Sequence, residues 1–126
     1  MPKDISKFYN IEDLRLQAKK NLPHGIFDFI DGGAEDGIAV ETNRSAYIDL
    51  KIKNRVLIDV SKRSTKTEIF GKKIAMPYGI SPTGAAGLVY YGGEIGLAKA
   101  AARMGVPCTV ATNALLPMEE IAEAAG

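Results

Sequence analysis

Two short stretches of this chain place small and polar residues where buried strands are predicted to end. The first is Pro82-Thr83-Gly84, which follows the apolar stretch 78–81 and precedes a predicted helix. Proline cannot donate to a sheet ladder, and glycine lets the backbone approach a ligand without a Cβ in the way. Exposed backbone groups at the end of a strand could cradle a planar, hydrogen-bonding ligand. The same residues could also form only a strand-to-helix turn.

The second stretch, Ala111-Thr112-Asn113, lies at the end of the predicted strand 108–112. If both strands belong to a parallel barrel, their carboxyl ends meet at the same rim, which is where such barrels bind ligands. Thr112 and Asn113 could then hydrogen-bond a ligand, although Asn113 could equally close a turn. The two stretches together predict a ligand site at neighbouring strand ends.

The other candidate residues carry weaker signals. Phe27, Phe29 and Ile30 precede Gly32-Gly33 and could form either a packed helix face or an apolar lid over a pocket. The glycine pair lacks the G-x-G-x-x-G spacing and does not follow a strand, which argues against a dinucleotide-binding fingerprint. His24, the single histidine, has no metal-ligand spacing around it. The sequence offers no nucleophile–base pair and no metal cluster.

Composition limits the classes of function. The 126 residues are 46% hydrophobic and 25% charged, with a net charge of +1, so nothing points to nucleic acid. One cysteine, Cys108, excludes an internal disulfide framework. No apolar run approaches the ~20 residues that span a bilayer. We therefore expect a cytoplasmic protein. The same composition is also compatible with peripheral attachment to a membrane.

Apolar periodicity, caps and turn residues predict the elements that position these stretches. Roughly the first 48 residues should be helical, and apolar strands alternating with helices predict parallel βα units after them. The predicted helices are 11–20, 23–30, one opened by Asp36 with Ala39, Val40 and Tyr47 on one face, 93–104 and 117–125, and the predicted strands are 67–70, 73–75, 78–81 and 108–112. A parallel barrel needs ~250 residues. We therefore expect a truncated protein.

Taken in order, the motifs of this chain resemble the N-terminal part of the FMN-dependent 2-hydroxy-acid dehydrogenase and oxidase family, which includes glycolate and lactate oxidases, L-lactate dehydrogenase and mandelate dehydrogenase. The resemblance covers nearly all of residues 9–126. The motifs are Leu22-Pro23, Phe27-Asp28, Gly32-Gly33-Ala34-Glu35-Asp36, Asn43-Arg44, the run 55–61, Met76-Pro77, Pro82-Thr83-Gly84, Gly93-Glu94 and Gly105-Val106-Pro107.

The resemblance implies an α/β fold, the N-terminal part of a (β/α)8 TIM barrel with FMN at its carboxyl rim. Residues 1–48 would be a helical extension, 49–75 a linker and a hairpin capping the barrel bottom, and 76–126 the first βα units. Pro82, Thr83 and Gly84 would meet the flavin ring through their backbone, with the Gly84 N–H on the N5 side. Such a donor would stabilise the charge that develops as hydride arrives.

Three departures from the family pattern concern cofactor and substrate contacts. Phe29 stands where the family usually has a tyrosine that binds the substrate carboxylate. Ala111 stands where many members have a serine touching the flavin, and Asn113 replaces an aromatic residue of glycolate oxidase-like members. The resemblance thus implies cofactor contacts at 82–84 and Ala111, and substrate contacts at Phe29 and Asn113. The family's catalytic histidine and phosphate-binding loops have no counterpart within these residues.

The function implied is oxidation of an (S)-2-hydroxy acid to a 2-oxo acid, with hydride passing to FMN. We expect the chain to be inactive alone, to use no metal, and to assemble as a homo-oligomer, since full-length family members form tetramers. Two alternatives remain open. One is another FMN barrel enzyme, similar to type 2 isopentenyl diphosphate isomerase. The other is a non-enzymatic half-barrel that binds flavin or a partner chain, because an open barrel exposes strand edges that must be covered.

Overall fold

The structure is a computed structural model that describes residues 4–126. The chain divides after Leu57 into two compact units, which are taken separately below. The first unit is helical, and the second carries the hairpin and the βα elements. The elements are α1 (Ile11–Asn21), α2 (His24–Asp31), α3 (Ile38–Asp49), β1 (Thr67–Ile69), β2 (Lys72–Ile74), α4 (Ala86–Val89), α5 (Gly93–Met104) and α6 (Met118–Ala125), with a 3-10 turn at Ile5–Lys7.

Local capping signals place the first two helices as predicted. The Asn10 side chain accepts a hydrogen bond from the Asp13 N–H at 2.8 Å and so starts α1. Pro23 precedes α2, and the Gly32 N–H donates to the Asp28 carbonyl where α2 ends. Both helices run one residue beyond their predicted ends, a difference within the usual uncertainty of helix boundaries.

One ion pair joins α1 to α2. The Arg15 guanidinium contacts Asp31 through two hydrogen bonds, Nε to Oδ1 at 2.5 Å and Nη2 to Oδ2 at 2.7 Å. This paired geometry holds the pKa of the Asp31 carboxyl below its usual value, mainly through the hydrogen bonds from Arg15. Phe27 of α2 is buried, and the Lys19 ammonium of α1 lies 5.8 Å from its ring centre. The contact between α1 and α2 therefore combines one aromatic anchor with one fixed ion pair.

The prediction for the third helix is wrong at its start. α3 begins at Ile38, and its N-cap is Gly37 in the left-handed conformation with φ 73°, so Asp36 does not cap it. Glycine adopts this conformation without a Cβ clash, which explains why it ends the loop before α3. No residue of α3 is buried, so the apolar face predicted around Tyr47 is exposed in this unit.

The predicted hairpin exists, but its turn lies one residue earlier than expected. β1 and β2 pair antiparallel with Ile69 opposite Lys72, which leaves Phe70 and Gly71 as the two turn residues. Both have positive φ, 51° and 74°. Positive φ at both positions is the geometry of a type I′ turn, which matches the twist of a two-residue hairpin, so the register follows from the turn geometry.

The two predicted parallel strands are reduced to a single bridge. Ile80 pairs with Cys108 in parallel, through Ile80 N–H to the Pro107 carbonyl at 2.9 Å and Thr109 N–H to the Ile80 carbonyl at 3.0 Å. The ladder stays short because a proline stands close to both ends of the first segment and directly before Cys108. The strand extents 78–81 and 108–112 were therefore wrong, whereas their parallel neighbourhood was right.

Helices pack around this bridge and form the core of the second unit. α5 has its predicted bounds and ends at Gly105, which takes the left-handed conformation with φ 64°. α6 begins at Met118, directly after Pro117. The four-residue helix α4 was not predicted, because one turn is too short to show apolar periodicity. The buried apolar side chains of this unit are Ala86, Ala98, Ala101 and Ile121.

Candidate functional site

The two predicted rim stretches lie side by side in the second unit. They follow the two segments joined by the Ile80–Cys108 bridge, and a direct hydrogen bond connects them. The Ala85 N–H, one residue past the first stretch, donates to the Asn113 carbonyl at 3.1 Å. Sequence reasoning therefore placed these two turns correctly as neighbours, because consecutive parallel strands end on the same edge.

Gly84 packs directly against Asn113. A Cβ added at position 84 would lie 2.6 Å from Asn113 Nδ2 and 2.8 Å from its Cγ. Real Cβ atoms do not approach other atoms so closely, so a larger residue would force the turn or the amide to move. The sequence suggested that the missing Cβ lets a ligand approach this glycine. In the structure, the space that a Cβ would need at position 84 is taken by the Asn113 side chain.

The turn 82–84 presents free backbone groups to the surface. All three residues are exposed. Within residues 4–126, the N–H groups of Thr83 and Gly84 donate to no backbone or side-chain acceptor, while the Thr83 hydroxyl bonds the Ser81 carbonyl at 3.3 Å. Backbone donors held in a short turn lose little entropy on binding, because no side chain must be ordered. This turn therefore meets the requirement for contacting the polar edge of a flat ring.

Ala111 occupies the base of the second turn. It is half-buried, and its carbonyl accepts a hydrogen bond from the Ala114 N–H at 3.1 Å. Ala111 also lines a cavity of about 20 Å³ between the bridged strand, α5 and α6. The exposed Thr112 and Asn113 follow it. The second turn thus offers two polar side chains, Thr112 and Asn113, and that of Asn113 lies beside Gly84 of the first turn.

A buried glutamate connects the two turns, and the sequence analysis named it only within the motif Gly93-Glu94, not as a site residue. Glu94 is the second residue of α5, and only 6% of it is exposed. Its Oε1 atom accepts hydrogen bonds from the Gly87 N–H at 3.0 Å and the Leu115 N–H at 3.2 Å. These bonds, with the Gly87 bond as the largest contribution, lower the pKa of the Glu94 carboxyl although burial opposes this. The group is a carboxylate at neutral pH.

The remaining candidates lie elsewhere. Phe29 belongs to the first unit, where it is 79% exposed on α2 while Phe27 is buried. His24 is exposed and lies 2.8 Å from the Asp28 carboxylate, an i,i+4 contact on the surface of α2. Burial raises the pKa of the Cys108 thiol, so it is unsuited to act as a nucleophile. Across the described residues, no group of three acidic, histidine or cysteine side chains could hold a metal.

Comparison with known proteins gives this arrangement a family. The sequence model of the family described as FMN-dependent dehydrogenase matches residues 18–126. The chain is 38% identical over 114 residues to (S)-mandelate dehydrogenase of Pseudomonas putida, covering 90% of this chain and 29% of that protein. It is 41% identical over 112 residues to L-lactate dehydrogenase of Vibrio parahaemolyticus, covering 89% and 30%.

Solved structures agree. A soluble mutant of the membrane-associated (S)-mandelate dehydrogenase from Pseudomonas putida superposes with a TM-score of 0.87 at 37% identity, covering 95% of this chain and 34% of that chain. The chain spans about a third of the length of the relatives it matches. Its fold is the N-terminal part of a (β/α)8 barrel, as predicted. This chain belongs to the FMN-dependent dehydrogenase family.

Proposed function

We propose that this chain forms the flavin-facing part of an enzyme that oxidises an (S)-2-hydroxy acid to a 2-oxo acid with FMN as cofactor. The observation that carries the proposal is the pair of adjacent turns, 82–84 and 111–113, with unpaired amides on the first. The residues proposed to hold the flavin are Pro82, Thr83, Gly84 and Ala111. Residues 1–126 would be part of one barrel domain, with segments 1–48, 49–75 and 76–126.

The residues of this chain fit a flavin through backbone rather than through side-chain chemistry. When bound, FMN supplies an acceptor for the hydride that leaves the substrate. The amides of Thr83 and Gly84 are fixed donors, and a donor already in place needs no reorganisation when negative charge develops near it. The half-buried Ala111 adds a small, uncharged surface at the second turn. Together these features leave room for a flat ring and orient its polar edge.

The substrate proposal rests on Phe29, Asn113 and the relatives. The matched proteins are named for mandelate and L-lactate, which are both 2-hydroxy acids. Phe29 keeps an aromatic ring but offers no hydroxyl to a substrate carboxylate, and Asn113 makes the second turn polar. We infer a small 2-hydroxy acid whose carboxylate relies on donors other than residue 29.

We further propose that the chain works in an assembly. Large apolar side chains are exposed in both units, among them Ile52 at 92% and Tyr91 at 97%. Covering them is favourable, at about 25 cal/mol for each Å² of apolar surface removed from water. A homo-oligomer or a complementing barrel segment would provide that cover. Catalysis would require the complementing segment, because the family's catalytic histidine has no counterpart within residues 1–126 and a second copy of this chain would not supply one.

We propose a cytoplasmic location. Peripheral attachment to a membrane is the alternative that experiment must test. Among the helices of residues 4–126, none has the length and apolarity to cross a bilayer. One structural relative is described as a monotopic membrane protein, (S)-mandelate dehydrogenase, with a TM-score of 0.85. Fractionation of cells expressing the chain, with and without a high-salt wash of the membranes, distinguishes the two locations.

The experiment that tests the function combines flavin binding with complementation. The purified chain is titrated with FMN and the quenching of flavin fluorescence is followed. The chain is then coexpressed with the part of Pseudomonas putida (S)-mandelate dehydrogenase that lies beyond the matched region, and dye reduction by (S)-mandelate is measured. We expect saturable quenching, and turnover only when both segments are present.

Matched variants make this test specific to the rim turns. Gly84→Ala should weaken quenching, because its Cβ would displace Asn113, whereas Gly96→Ala has no atom within 4 Å of its new Cβ and should bind like the wild type. Absence of any flavin binding by the chain and by the complemented pair would refute the proposed function. Equal binding by both variants would refute the assignment of the turn 82–84.

A further inference from the structure

Glu94 differs from the other acidic residues that begin helices in this chain. Glu119 and Glu120 occupy the first turn of α6 and are exposed, as expected for carboxylates that need only face the positive end of a helix. Glu94 occupies the same kind of position in α5 but is buried, and its side chain turns away to meet two other segments. A favourable helix position does not explain this, because burying a carboxylate is costly unless it is paired.

The two segments that Glu94 meets are those that carry the rim turns. Gly87 lies three residues after Gly84, and Leu115 lies two residues after Asn113. One carboxylate oxygen, Oε1, accepts a hydrogen bond from each. The bond between Ala85 and Asn113 joins the same segments nearer the rim. Glu94 therefore connects the two segments through one carboxylate, farther from the rim than the bond between Ala85 and Asn113.

The neighbouring glycine is shaped for this carboxylate. A Cβ at Gly87 would lie 2.9 Å from Glu94 Oε2 and 3.4 Å from Oε1. Alanine at a helical position is ordinarily favourable relative to glycine, so the glycine here makes room for the acid. Oε2 is buried and accepts no hydrogen bond from the described residues. The cavity of about 20 Å³ that Glu94 borders is large enough for one water, which could supply that bond.

We propose that Glu94 is a positioning residue that fixes the separation between the turns 82–84 and 111–113. The importance of this separation for flavin binding rests on the proposed function. The geometric role itself does not, because it concerns only contacts within this chain. Loss of the carboxylate would free both amides and let the two turns move apart, without removing any group that touches the flavin.

The first test uses the wild-type chain and amide NMR. The Gly87 and Leu115 amide shifts should follow the titration of one carboxyl, with a midpoint below that of an exposed glutamate. The other titratable side chains bordering the cavities around Glu94 are Tyr91, Cys108 and Glu120. Glu120 is the only other carboxyl in this set, and Glu120→Gln removes it. Amide shifts that stay constant through acid pH in this variant would overturn the proposal.

The second test measures the separation directly. A nuclear Overhauser contact is expected between the Gly84 α-protons and the Asn113 side-chain amide, since these groups pack together. Glu94→Ala and Gly87→Ala should each weaken it, and Glu94→Gln, which keeps one acceptor oxygen, should restore most of it. Glu119→Ala, the same change at an exposed first-turn position, is the control. An undiminished contact in folded Glu94→Ala and Gly87→Ala would overturn the proposal.

Flavin titration separates this proposal from the proposed function. If the wild type binds FMN, Glu94→Ala should weaken binding at least tenfold and Glu119→Ala less than twofold. Unchanged affinity in Glu94→Ala would overturn the link between the turn separation and the flavin. If the wild type binds no FMN, the proposed function fails, and the Overhauser contact alone decides whether Glu94 positions the turns.

Discussion

Replacing either of two glycines in α5 by alanine should change stability in opposite directions. Gly96 is exposed, and an added Cβ would meet no atom within 4 Å. Gly93 is buried, and its Cβ would lie 2.5 Å from the Ala86 carbonyl oxygen and 2.7 Å from the carbonyl carbon. Neither glycine has positive φ, so alanine is allowed by the backbone at both positions. The difference is one of space alone.

The magnitudes follow from the surroundings. Gly96→Ala should gain ~0.8–1 kcal/mol of unfolding free energy from helix propensity, because nothing opposes the new methyl group. Gly93→Ala should lose ~1–3 kcal/mol, the usual cost of overpacking, since the opposing atoms are backbone and cannot rotate away. Gly93 is also held by its N–H, which donates to the Tyr90 carbonyl at 2.8 Å. The two variants should therefore differ by roughly 2–4 kcal/mol.

Urea unfolding followed by circular dichroism at the helix band measures this difference. The midpoint should rise for Gly96→Ala and fall for Gly93→Ala, with similar slopes if both unfold from the same native state. The same pair affects the site, because Gly93 directly precedes Glu94 and its displacement would lengthen the Glu94 bond to Gly87. A Gly93→Ala chain as stable as Gly96→Ala would refute the close contact of Gly93 in α5 with the Ala86 carbonyl of α4.

Two further predictions concern the second turn, 111–113, and the first unit. Ala111→Ser should add a hydrogen bond to the flavin worth ~1 kcal/mol, about a fivefold gain in FMN affinity in the complemented enzyme, and an unchanged titration would mean that residue 111 does not face the flavin. Asp31→Asn should lower the thermal midpoint of unfolding at pH 7 and reduce its fall in acid. The reason is that Arg15 lowers the pKa of Asp31, so this carboxylate stabilises the fold above the ordinary aspartate pKa, and the effect is lost as pH falls through the lowered value. Asp36→Asn, at an exposed carboxyl, is the control, and equal acid dependence in both variants would contradict the role of the ion pair.

Local signals predicted the helices well and the sheet poorly. Asn10, Pro23 and Gly105 begin or end helices by chemistry that acts within a few residues, so the sequence alone is enough to place them. The segments around Ile80 and Cys108 pair through one bridge, because prolines near their ends interrupt the ladder. The strand prediction followed the apolar residues and gave these prolines too little weight.

The candidate site likewise has a part that the sequence predicted and a part that it did not. The turns 82–84 and 111–113 could be found, because strand ends in a parallel arrangement share an edge. Glu94 was missed, because burial of a carboxylate is a tertiary property and its position in the first turn of a helix normally predicts exposure. The signal that was available lies in Gly87 and Gly93, two glycines whose added Cβ atoms would strike the carboxylate and the Ala86 carbonyl.

The turns 82–84 and 111–113 consist mainly of small residues, so the contacts proposed for them with the flavin are made mostly by the backbone. Backbone amides remain hydrogen-bond donors when side chains vary, provided that the turns stay in place. The positions of the two turns depend on the hydrogen bonds to the Glu94 carboxylate and on the bond between Ala85 and Asn113. Side chains proposed to meet the substrate, such as Phe29, contribute to none of these contacts. Under the proposed site assignment, a change at position 29 would therefore alter substrate contacts and leave the proposed flavin contacts of the turns 82–84 and 111–113 in place.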